Sequence, residues 1–405
     1  MHYLPTPTEE KHLQTTVKTI IQQINIPGAT AKLGGSGAKG TWLAGTHDLD
    51  IYIIFNYKKY APQTTQLADI TEQHLKKHFK LERLHGSRDY FQTTYNGYTI
   101  EFIPILNITT AKQAKNITDI SQLHVTYVNK HQKLKQDIRT AKAFMKAAGI
   151  YGAESYIQGF SGYLVELLTI HYKGFNNLIK KAAQWKTTTA IGTAKDVACL
   201  NEAKKVSPLI IIDPVDSTRN AAAAINEEKY NQFITICKKY LKTKNKAPFF
   251  MTPLFNLTTI KKRYNTIFTL TADEGKKDVI GAALRKTYEK TLYTLEHHEF
   301  KIIKKGWHWD EHQQAYFYFN IQTTTLPTTI LLKGPPITME DASKAFRKKH
   351  KKIYITKGRL IAEDQRNIRT IEQLHKKVLC KIIPHLGLLC DPSHSTSKTA
   401  STKGL

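Results

Sequence analysis

The chain has 405 residues, of which 41% are hydrophobic and 10% aromatic. This composition excludes an intrinsically disordered protein and provides enough apolar material for roughly two to four domains. Lys and Arg number 60 against 33 for Asp and Glu, a formal net charge of +27. The excess favours a polyanionic partner, nucleic acid first, over a surface that is basic only for solubility.

The number and spacing of the cysteines, together with the hydropathy of the chain, indicate the cellular compartment in which the protein is expected. The four cysteines lie far apart with no Cys-x-x-Cys pair, so neither a zinc site nor a disulfide framework is indicated. No apolar run is long enough to span a bilayer, and the first residues lack an apolar signal core. We therefore expect a soluble cytoplasmic protein with no membrane partner.

The first 150 residues alternate helical and strand-like patterns. Leu13, Val17 and Ile20 stand at helical spacing, which predicts an amphipathic helix that ends before Pro27. In chain order the predictions are a helix over 8–25, then strand, Gly-rich turn, short helix or loop and strand over 28–55, a helix over 65–80, a strand in "NGYTIEFIPIL" closed by Pro104, and a helical stretch over 118–148 followed by Gly149.

The rest of the chain changes character at a proline-marked linker. "GFSGYLVELLTIHY" predicts a helix, and "VSPLIIIDPVDSTRNAAAAI" predicts an apolar strand that leads through a Pro-containing loop into a helix. After Pro248 and Pro253, helical and strand-like segments alternate, which is typical of a separate α+β region. Residues 343–352 form a concentrated basic run, and the Ser/Thr/Lys-rich end is expected to be disordered.

Two aspartates interrupt a run that otherwise reads as a buried strand, "DLDIYIIF". Side chains alternate faces along a strand, so Asp48 and Asp50 point the same way, about 7 Å apart, and their apolar neighbours point into a core. Two carboxylates on one face repel each other unless a cation lies between them. Hard oxygen ligands suit Mg²⁺, which keeps positions for water and substrate phosphates. The alternative is a surface strand with solvated acids.

The segment before this strand has the features of a phosphate-binding loop. It offers a tight turn with free backbone N–H groups, a hydroxyl and a positive charge, which come from Gly34, Gly35, Gly37, Ser36 and Lys39. A Gly-Ser pair followed about ten residues later by Asp-x-Asp in a strand is far more specific than Asp-x-Asp alone.

A third carboxylate completes a two-metal site if its strand lies beside the first. Glu101 stands in "YTIEFIPI", where alternation turns it away from Ile100 and Phe102. Two metals about 3.5–4 Å apart would then stabilise an attacking hydroxyl and a leaving pyrophosphate. An ordinary exposed glutamate on an edge strand explains this segment equally well, so both interpretations stay open.

These motifs carry a family resemblance. "GGSGAKGTW" followed by "THDLDIYIIF" resembles the nucleotidyltransferase superfamily that includes DNA polymerase β. With "FMKAAGIYGAESYIQGFSGYLVELL" and "DPVDSTRN", the chain closely resembles the archaeal-type (class I) CCA-adding enzymes, which are tRNA nucleotidyltransferases. The resemblance implies an α+β protein with a polymerase β-like nucleotidyltransferase head (1–115), a helical central domain that binds nucleotide (116–245), an α+β tRNA-binding body and tail (246–390), and a disordered end (391–405).

The resemblance also implies roles for individual residues. The catalytic and metal-binding carboxylates are Asp48, Asp50 and Glu101, where the family usually has Asp at the last position. The nucleotide-binding residues are Gly35, Ser36, Lys39, His124, Lys142, Tyr151 and Arg219. Arg219 would help to read the base, because arginine offers only donors, which suit the acceptors of C and A and leave an N–H of U or G unpaired. The chain departs from the family around Arg88 and at Gln158, which leaves secondary substrate contacts undefined.

The implied activity is the stepwise addition of C, C and A to the 3′ end of tRNA. It would use CTP and ATP, release pyrophosphate and employ a two-metal Mg²⁺ site, in a protein that the resemblance makes a homodimer. Two alternatives stay open. One is another nucleotidyltransferase, such as a poly(A) polymerase or a CC-adding enzyme. The other is a non-catalytic RNA-binding protein, against which the intact Asp48, Asp50 and Ser36 argue.

Overall fold

The structure is a computed structural model that describes residues 3–272, 275–379 and 388–390. The chain divides into two compact units, Met1–Pro253 and Leu254–Leu405. Their boundary follows the second linker proline, whereas the sequence places a boundary at 245/246. The predicted division at 115/116 lies inside the first unit and stays a prediction, and the predicted disordered end, 391–405, lies outside the described residues.

A five-stranded mixed sheet with helices forms the first part of the first unit. Its elements are α1 (Pro7–Gln22), β1 (Ala29–Leu33), α2 (Gly35–Lys39), β2 (Asp48–Phe55), α3 (Tyr57–Tyr60), α4 (Leu67–Leu75), β3 (Glu82–Leu84), β4 (Tyr90–Tyr95) and β5 (Tyr98–Leu106). The strand order is β1-β2-β5-β4-β3, in which β2 and β5 are parallel and the other neighbours antiparallel. This strand and helix order confirms the predictions made for residues 28–55.

Helix α1 forms because its first turn is capped and one of its faces is apolar. Thr6 and Glu9 make a capping box, in which the N–H of Glu9 donates to the Thr6 hydroxyl and the Glu9 carboxylate accepts from the N–H of Thr6. Leu13, Val17 and Ile20 are buried in the core under the sheet. The predicted face is therefore confirmed, although the helix ends at Gln22 rather than at residue 25.

Strand β5 continues past Pro104 to Leu106, so the prediction that this proline closes the strand is wrong. Strand β4 pairs with β5 only as far as Phe102, so beyond that point β5 has no strand partner on this side. Side chains take the vacated positions: Arg88 donates to the carbonyl of Pro104 (2.9 Å), and the N–H of Leu106 donates to Asp119 (2.9 Å). Proline is tolerated there because its missing N–H would have no partner in the ladder.

The remainder of the first unit is mainly helical. Its elements are α5 (Ser121–Asn129), α6 (Lys135–Ala147), α7 (Gly162–His171), α8 (Phe175–Ala182), β6 (Thr189–Ile191), α9 (Ala194–Cys199), β7 (Leu209–Asp213), β8 (Asp216–Asn220) and α10 (Glu227–Lys242). The predicted helical stretch over 118–148 is broken between α5 and α6, and Gly149 follows it with φ +67°, as predicted for a helix end. "DPVD" is the turn of a β7–β8 hairpin, so the predicted loop leading directly into a helix is wrong.

The second unit has two antiparallel sheets. Its elements are α11 (Leu257–Arg263), β9 (Thr266–Ala272), α12 (Lys277–His297), β10 (Ile302–Trp309), β11 (Gln314–Ile321), β12 (Thr329–Pro336), α13 (Glu340–Lys349), β13 (Ile353–Thr356), β14 (Arg359–Gln365), α14 (Ile371–Leu374) and β15 (Leu388–Cys390). The sheet orders are β10-β11-β9-β15 and β12-β14-β13. This α+β character confirms the prediction for the C-terminal region.

The predicted basic run falls largely on α13, whose last turn exposes Arg347, Lys348 and Lys349. Cations at this position also interact favourably with the C-terminal end of the helix dipole. Within the described part of the chain, no helix is both long enough and apolar enough to cross a bilayer.

Candidate active site

The three predicted catalytic carboxylates lie on the same face of two neighbouring strands. Strands β2 and β5 pair in parallel with Asp50 opposite Glu101 and Asp48 opposite Thr99. Residues opposite each other in a sheet point to the same side, and Asp48 stands two residues before Asp50, so all three acids share one face. Leu49 and Ile51 are buried on the other face. The alternation predicted from the sequence is therefore confirmed.

The three carboxylates share a face, but their side chains do not converge on a common metal position. Nε2 of Gln92, which lies opposite Glu101 on β4, donates to Oε1 of Glu101 (3.3 Å). Among the described residues, no three His, Cys, Asp or Glu side chains stand close enough together to hold a metal ion as they are placed. The metal-binding role of the three acids stays a prediction.

The chemistry of the acids nevertheless fits a divalent cation. Burial raises the pKa of Asp50, and the neighbouring charge of Asp48 raises it further, against an opposing effect of Lys39. Such a pair of acids is costly to ionise together in the absence of a cation. Hard oxygen donors on rigid strands are the kind of ligand that a divalent cation such as Mg²⁺ prefers.

The Gly-rich loop packs directly against the central carboxylate. The N–H of Gly34 donates to the backbone carbonyl of Asp50 (2.8 Å), and the N–H of Gly35 donates to the hydroxyl of Tyr52 (3.1 Å). Gly35 has φ +49°, and a Cβ there would stand 1.6 Å from Oδ2 of Asp50. Only glycine fits at this position. Ser36 follows on α2, half-buried, immediately after this contact.

Two predicted phosphate-binding lysines are buried and share one carboxylate that the sequence analysis missed. Nζ of Lys39 lies 2.7 Å from Oε2 of Glu166, and Nζ of Lys142 lies 2.7 Å from its Oε1. The Thr41 hydroxyl donates to Oε1 (2.6 Å) and accepts from Lys142 (3.0 Å). Burial opposes ionisation of Glu166, but Lys142 and Lys39 outweigh it and lower its pKa to about 2. Burial also lowers the pKa of Lys39.

Tyr151 lies beside this group. Its strand-like backbone forms a parallel bridge with Phe160. A Cβ added to Gly162 would stand 2.9 Å from the Tyr151 hydroxyl and 3.7 Å from Nζ of Lys142, so both groups pack closely against this glycine. Burial raises the pKa of Tyr151, which therefore acts as a neutral hydrogen-bonding group.

Two predicted nucleotide-binding residues, His124 and the base-reading Arg219, meet at a second buried carboxylate, Asp213 at the end of β7. Oδ2 of Asp213 lies 2.7 Å from Nη1 of Arg219 and 3.1 Å from Nε2 of His124, and Oδ1 accepts from the Tyr163 hydroxyl (3.0 Å). The His124 and Tyr163 rings stack with centroids 3.8 Å apart. Burial acts against the charge of Asp213, but its hydrogen bonds with His124 and Arg219 hold its pKa below the ordinary value.

Arg219 also lines a cavity of about 290 Å³, together with Ser161 and the small residues 220–224. This volume is close to the lower end of the range typical of small-molecule sites, about 300–1,000 Å³. The Arg219 side chain is one-third exposed and lines the cavity, while its guanidinium is ion-paired with the buried Asp213. The arrangement is suited to presenting fixed donors to a planar polar ligand.

The two departures from the family pattern have structural partners. Arg88 forms an ion pair with the buried Asp119 (2.5 Å) in addition to its bond to Pro104. Gln158 has φ +54° and accepts from the side chain of Asn226 (2.8 Å). These contacts give both residues a place in the fold.

Comparison with known proteins assigns the family. Residues 136–251 match the family model "tRNA nucleotidyltransferase, second domain", and residues 263–387 match "CCA-adding enzyme, C-terminal domain". A CCA-adding enzyme of Nanoarchaeum equitans is 38% identical over 340 residues, covering 81% of this chain and 82% of the relative. The chain belongs to the CCA-adding enzyme family. It is therefore a nucleotidyltransferase.

A second CCA-adding enzyme agrees with this assignment. The CCA-adding enzyme of Methanosarcina barkeri is 30% identical over 381 residues, which cover 90% of this chain and 83% of that enzyme. Among solved structures, the Cid1 poly(U) polymerase is 12% identical with a TM-score of 0.45, covering 60% of this chain and 91% of that one. The stretch that matches the "second domain" model, 136–251, includes Lys142, Tyr151 and Arg219 together with Glu166 and Asp213.

Proposed function

We propose that this member of the family adds C, C and A in turn to the 3′ end of tRNA, from CTP and ATP, with release of pyrophosphate. The observation that carries the proposal is the parallel register that sets Asp50 opposite Glu101, with Asp48 on the same face and Gly35 against Asp50. Carboxylates beside a glycine loop and buried lysines form a site for a triphosphate and its divalent cations.

In this proposal Asp48, Asp50 and Glu101 hold Mg²⁺ in a two-metal site. When bound, the ions supply a lowered pKa for the terminal ribose hydroxyl of tRNA and charge neutralisation for the leaving pyrophosphate. Gly35 and Ser36 present the loop to the triphosphate, while Lys39, Lys142 and Tyr151 bind its oxygens. Positioning and electrostatics account for most of the rate in phosphoryl transfer, so no covalent intermediate with the protein is needed.

Base selection is assigned to Arg219 and His124. Both contact Asp213, which fixes their orientation, and Arg219 lines the cavity. Hydrogen-bond donors held in this way can bond to N3 and O2 of cytosine and to N1 of adenine. Uracil and guanine present an N–H there instead, and the free-energy cost of leaving this N–H unpaired discriminates against them.

The basic surface of the second unit is proposed to bind tRNA by its phosphates and shape, which need not involve reading sequence. A homodimer is proposed from the family resemblance. A cytoplasmic location is proposed because Cys199 and Cys237 are free thiols, as expected in a reducing compartment.

The test is incubation of the purified protein with Mg²⁺ and a tRNA that lacks its 3′ CCA, with each nucleotide supplied alone and then in sequence. CTP should give two additions, and ATP one addition thereafter. Repeated addition of A would indicate a poly(A) polymerase, and two C additions with no following A would indicate a CC-adding enzyme. Binding of tRNA without incorporation of any nucleotide would contradict a catalytic role.

A further inference from the structure

The buried lysines Lys39 and Lys142 bond to the same carboxylate. Lys39 is 8% exposed and Lys142 is 2% exposed, while the one carboxylate between them, Glu166, is fully buried. Charged groups are rarely buried unless they are paired. In direct contact the two ammonium groups share one carboxylate, and Asp50 acts on Lys39 as a neighbouring charge, so the N–H donors that Glu166 and Thr41 do not take up suit the oxygens of an anion.

The cluster also links three helices that the proposed site needs to hold together. Lys39 ends α2 of the Gly-rich loop, Lys142 lies on α6, and Glu166 lies on α7. An ammonium group has three N–H donors, and those of Lys142 that bond to Glu166 and Thr41 fix its direction. Gly162 packs closely against this group, since a Cβ there would stand 2.9 Å from the Tyr151 hydroxyl and 3.7 Å from Nζ of Lys142.

We infer that Glu166 is a positioning residue for nucleotide binding: it holds the ammonium groups of Lys39 and Lys142 in fixed directions, so that their remaining donors meet the triphosphate. Glu166 does not touch the substrate; it acts through the lysines. This inference rests on the proposed function, because it takes Lys39 and Lys142 as the triphosphate-binding lysines.

The direction in which Glu166→Gln changes the affinity for an anion separates a positioning role from a simple effect of net charge. Glu166→Gln removes a negative charge from the site, so charge counting alone predicts tighter binding of an anion. If Glu166 positions the lysines, the same variant leaves two buried ammonium groups without their counter-charge. Their protonation and direction are then lost, and the anion binds more weakly.

The experiment measures binding of inorganic tripolyphosphate to the full chain by calorimetry. We expect Glu166→Gln to raise its Kd on the order of ten- to hundredfold, the range expected for losing one or two charge-assisted hydrogen bonds. Asp119→Asn is the matched control, because Asp119 is equally buried and paired with a base, Arg88. Thermal unfolding of both variants separates loss of stability from loss of binding.

A double-mutant cycle tests whether Glu166 acts through the lysines. In a Lys39→Met background, Glu166→Gln should weaken tripolyphosphate binding by a smaller factor than in the wild type, because one of the two positioned groups is already absent. If Glu166→Gln does not fold, Glu166→Asp replaces it. The shorter side chain keeps the charge but cannot reach both lysines, so weaker binding is again expected.

The outcomes also separate this inference from the proposed function. If the folded Glu166 variant binds tripolyphosphate as tightly as wild type or more tightly, or if Asp119→Asn weakens binding to the same extent, the positioning role is wrong even when wild type adds nucleotides to tRNA. If wild type binds tripolyphosphate in a Glu166-dependent manner but adds no nucleotide to tRNA, the proposed function fails and the positioning role stands.

Discussion

Replacement of Gly35 by alanine tests whether the loop and Asp50 form one catalytic unit. A Cβ at this position would stand 1.6 Å from Oδ2 and 2.7 Å from Cγ of Asp50, whereas real Cβ atoms do not come within 3.0 Å of such neighbours. The carboxylate or the loop must therefore move by about 1.4 Å. Because misplacing a reacting group by about 1 Å costs on the order of a hundredfold in rate, we expect kcat for CMP incorporation to fall at least about a hundredfold.

The matched control is Gly45→Ala. Gly45 has φ +69° and would place its Cβ in open space, with nothing within 4 Å. Both substitutions carry the backbone cost of a left-handed residue, roughly 1–2 kcal/mol, so Gly45→Ala measures that cost alone, and Gly35→Ala adds the displacement of Asp50 or the loop and should lose more thermal stability. Only Gly35→Ala should lose activity.

The assay is the rate of incorporation of radiolabelled CMP into tRNA lacking its CCA end, measured alongside thermal unfolding of each variant. If Gly35→Ala retains a kcat within about threefold of Gly45→Ala, the contact between the loop and Asp50 does not serve catalysis. In that case the assignment of this loop to the active site is refuted.

Three further predictions follow from the carboxylates and thiols. Asp50→Asn should abolish nucleotide incorporation yet melt at a temperature no lower than that of wild type at pH 8. Burial raises the pKa of Asp50, so the stability that the protonated carboxyl contributes is lost as pH rises through its folded-state pKa, and asparagine avoids the cost of the buried charge. A melting temperature below that of wild type at pH 8 contradicts the argument. Asp213→Asn should raise UMP misincorporation relative to CMP about tenfold, because asparagine has no charge and a single acceptor oxygen, which cannot serve Arg219, His124 and Tyr163 as the two carboxylate oxygens do. An unchanged ratio refutes the role of Asp213 in base selection. Folding lowers the pKa of Asp213, so its ionised carboxylate stabilises the wild type above the unfolded-state pKa, and this stabilisation is lost as pH falls through the folded-state pKa. The difference in melting temperature between wild type and Asp213→Asn should therefore become smaller in acid. A maleimide should label Cys199 in the native protein and Cys237 only after unfolding, because Cys237 is buried and burial raises its pKa; equal labelling rates by peptide mass spectrometry would show that the core around Cys237 opens.

Local patterns were sufficient to predict the face on which the acids lie. Alternation along "DLDIYIIF" separates Asp48 and Asp50 from the buried Leu49 and Ile51, and this needs no knowledge of the neighbouring strand. The position of Glu101 could not be predicted in this way. It depends on the parallel register between β2 and β5, a pairing across about fifty residues that no single segment encodes.

The residues missed by sequence reasoning act over long distances or without periodicity. Glu166 was hidden in "GFSGYLVELL", interpreted as a structural helix, and its partner Lys39 is 127 residues away. A single carboxylate within an otherwise buried apolar helix was the available signal, because such a group requires a partner. The hairpin strand β8 lacks apolar alternation; its pairing is supported instead by Asn220, whose Oδ1 accepts from the N–H groups of Ile211 and Ala222.

The end of β5 has a consequence for how this protein behaves in a crowded solution. Where β4 stops, the backbone groups of β5 that lack a strand partner are bonded by side chains: Arg88 donates to the carbonyl of Pro104, Asp119 accepts from the N–H of Leu106, and Gln122 donates to the carbonyl of Leu106 (2.8 Å). A strand from another molecule would find no vacant donors or acceptors along this segment, and proline removes one more. The same residues that complete the sheet therefore protect it from aggregation by strand addition.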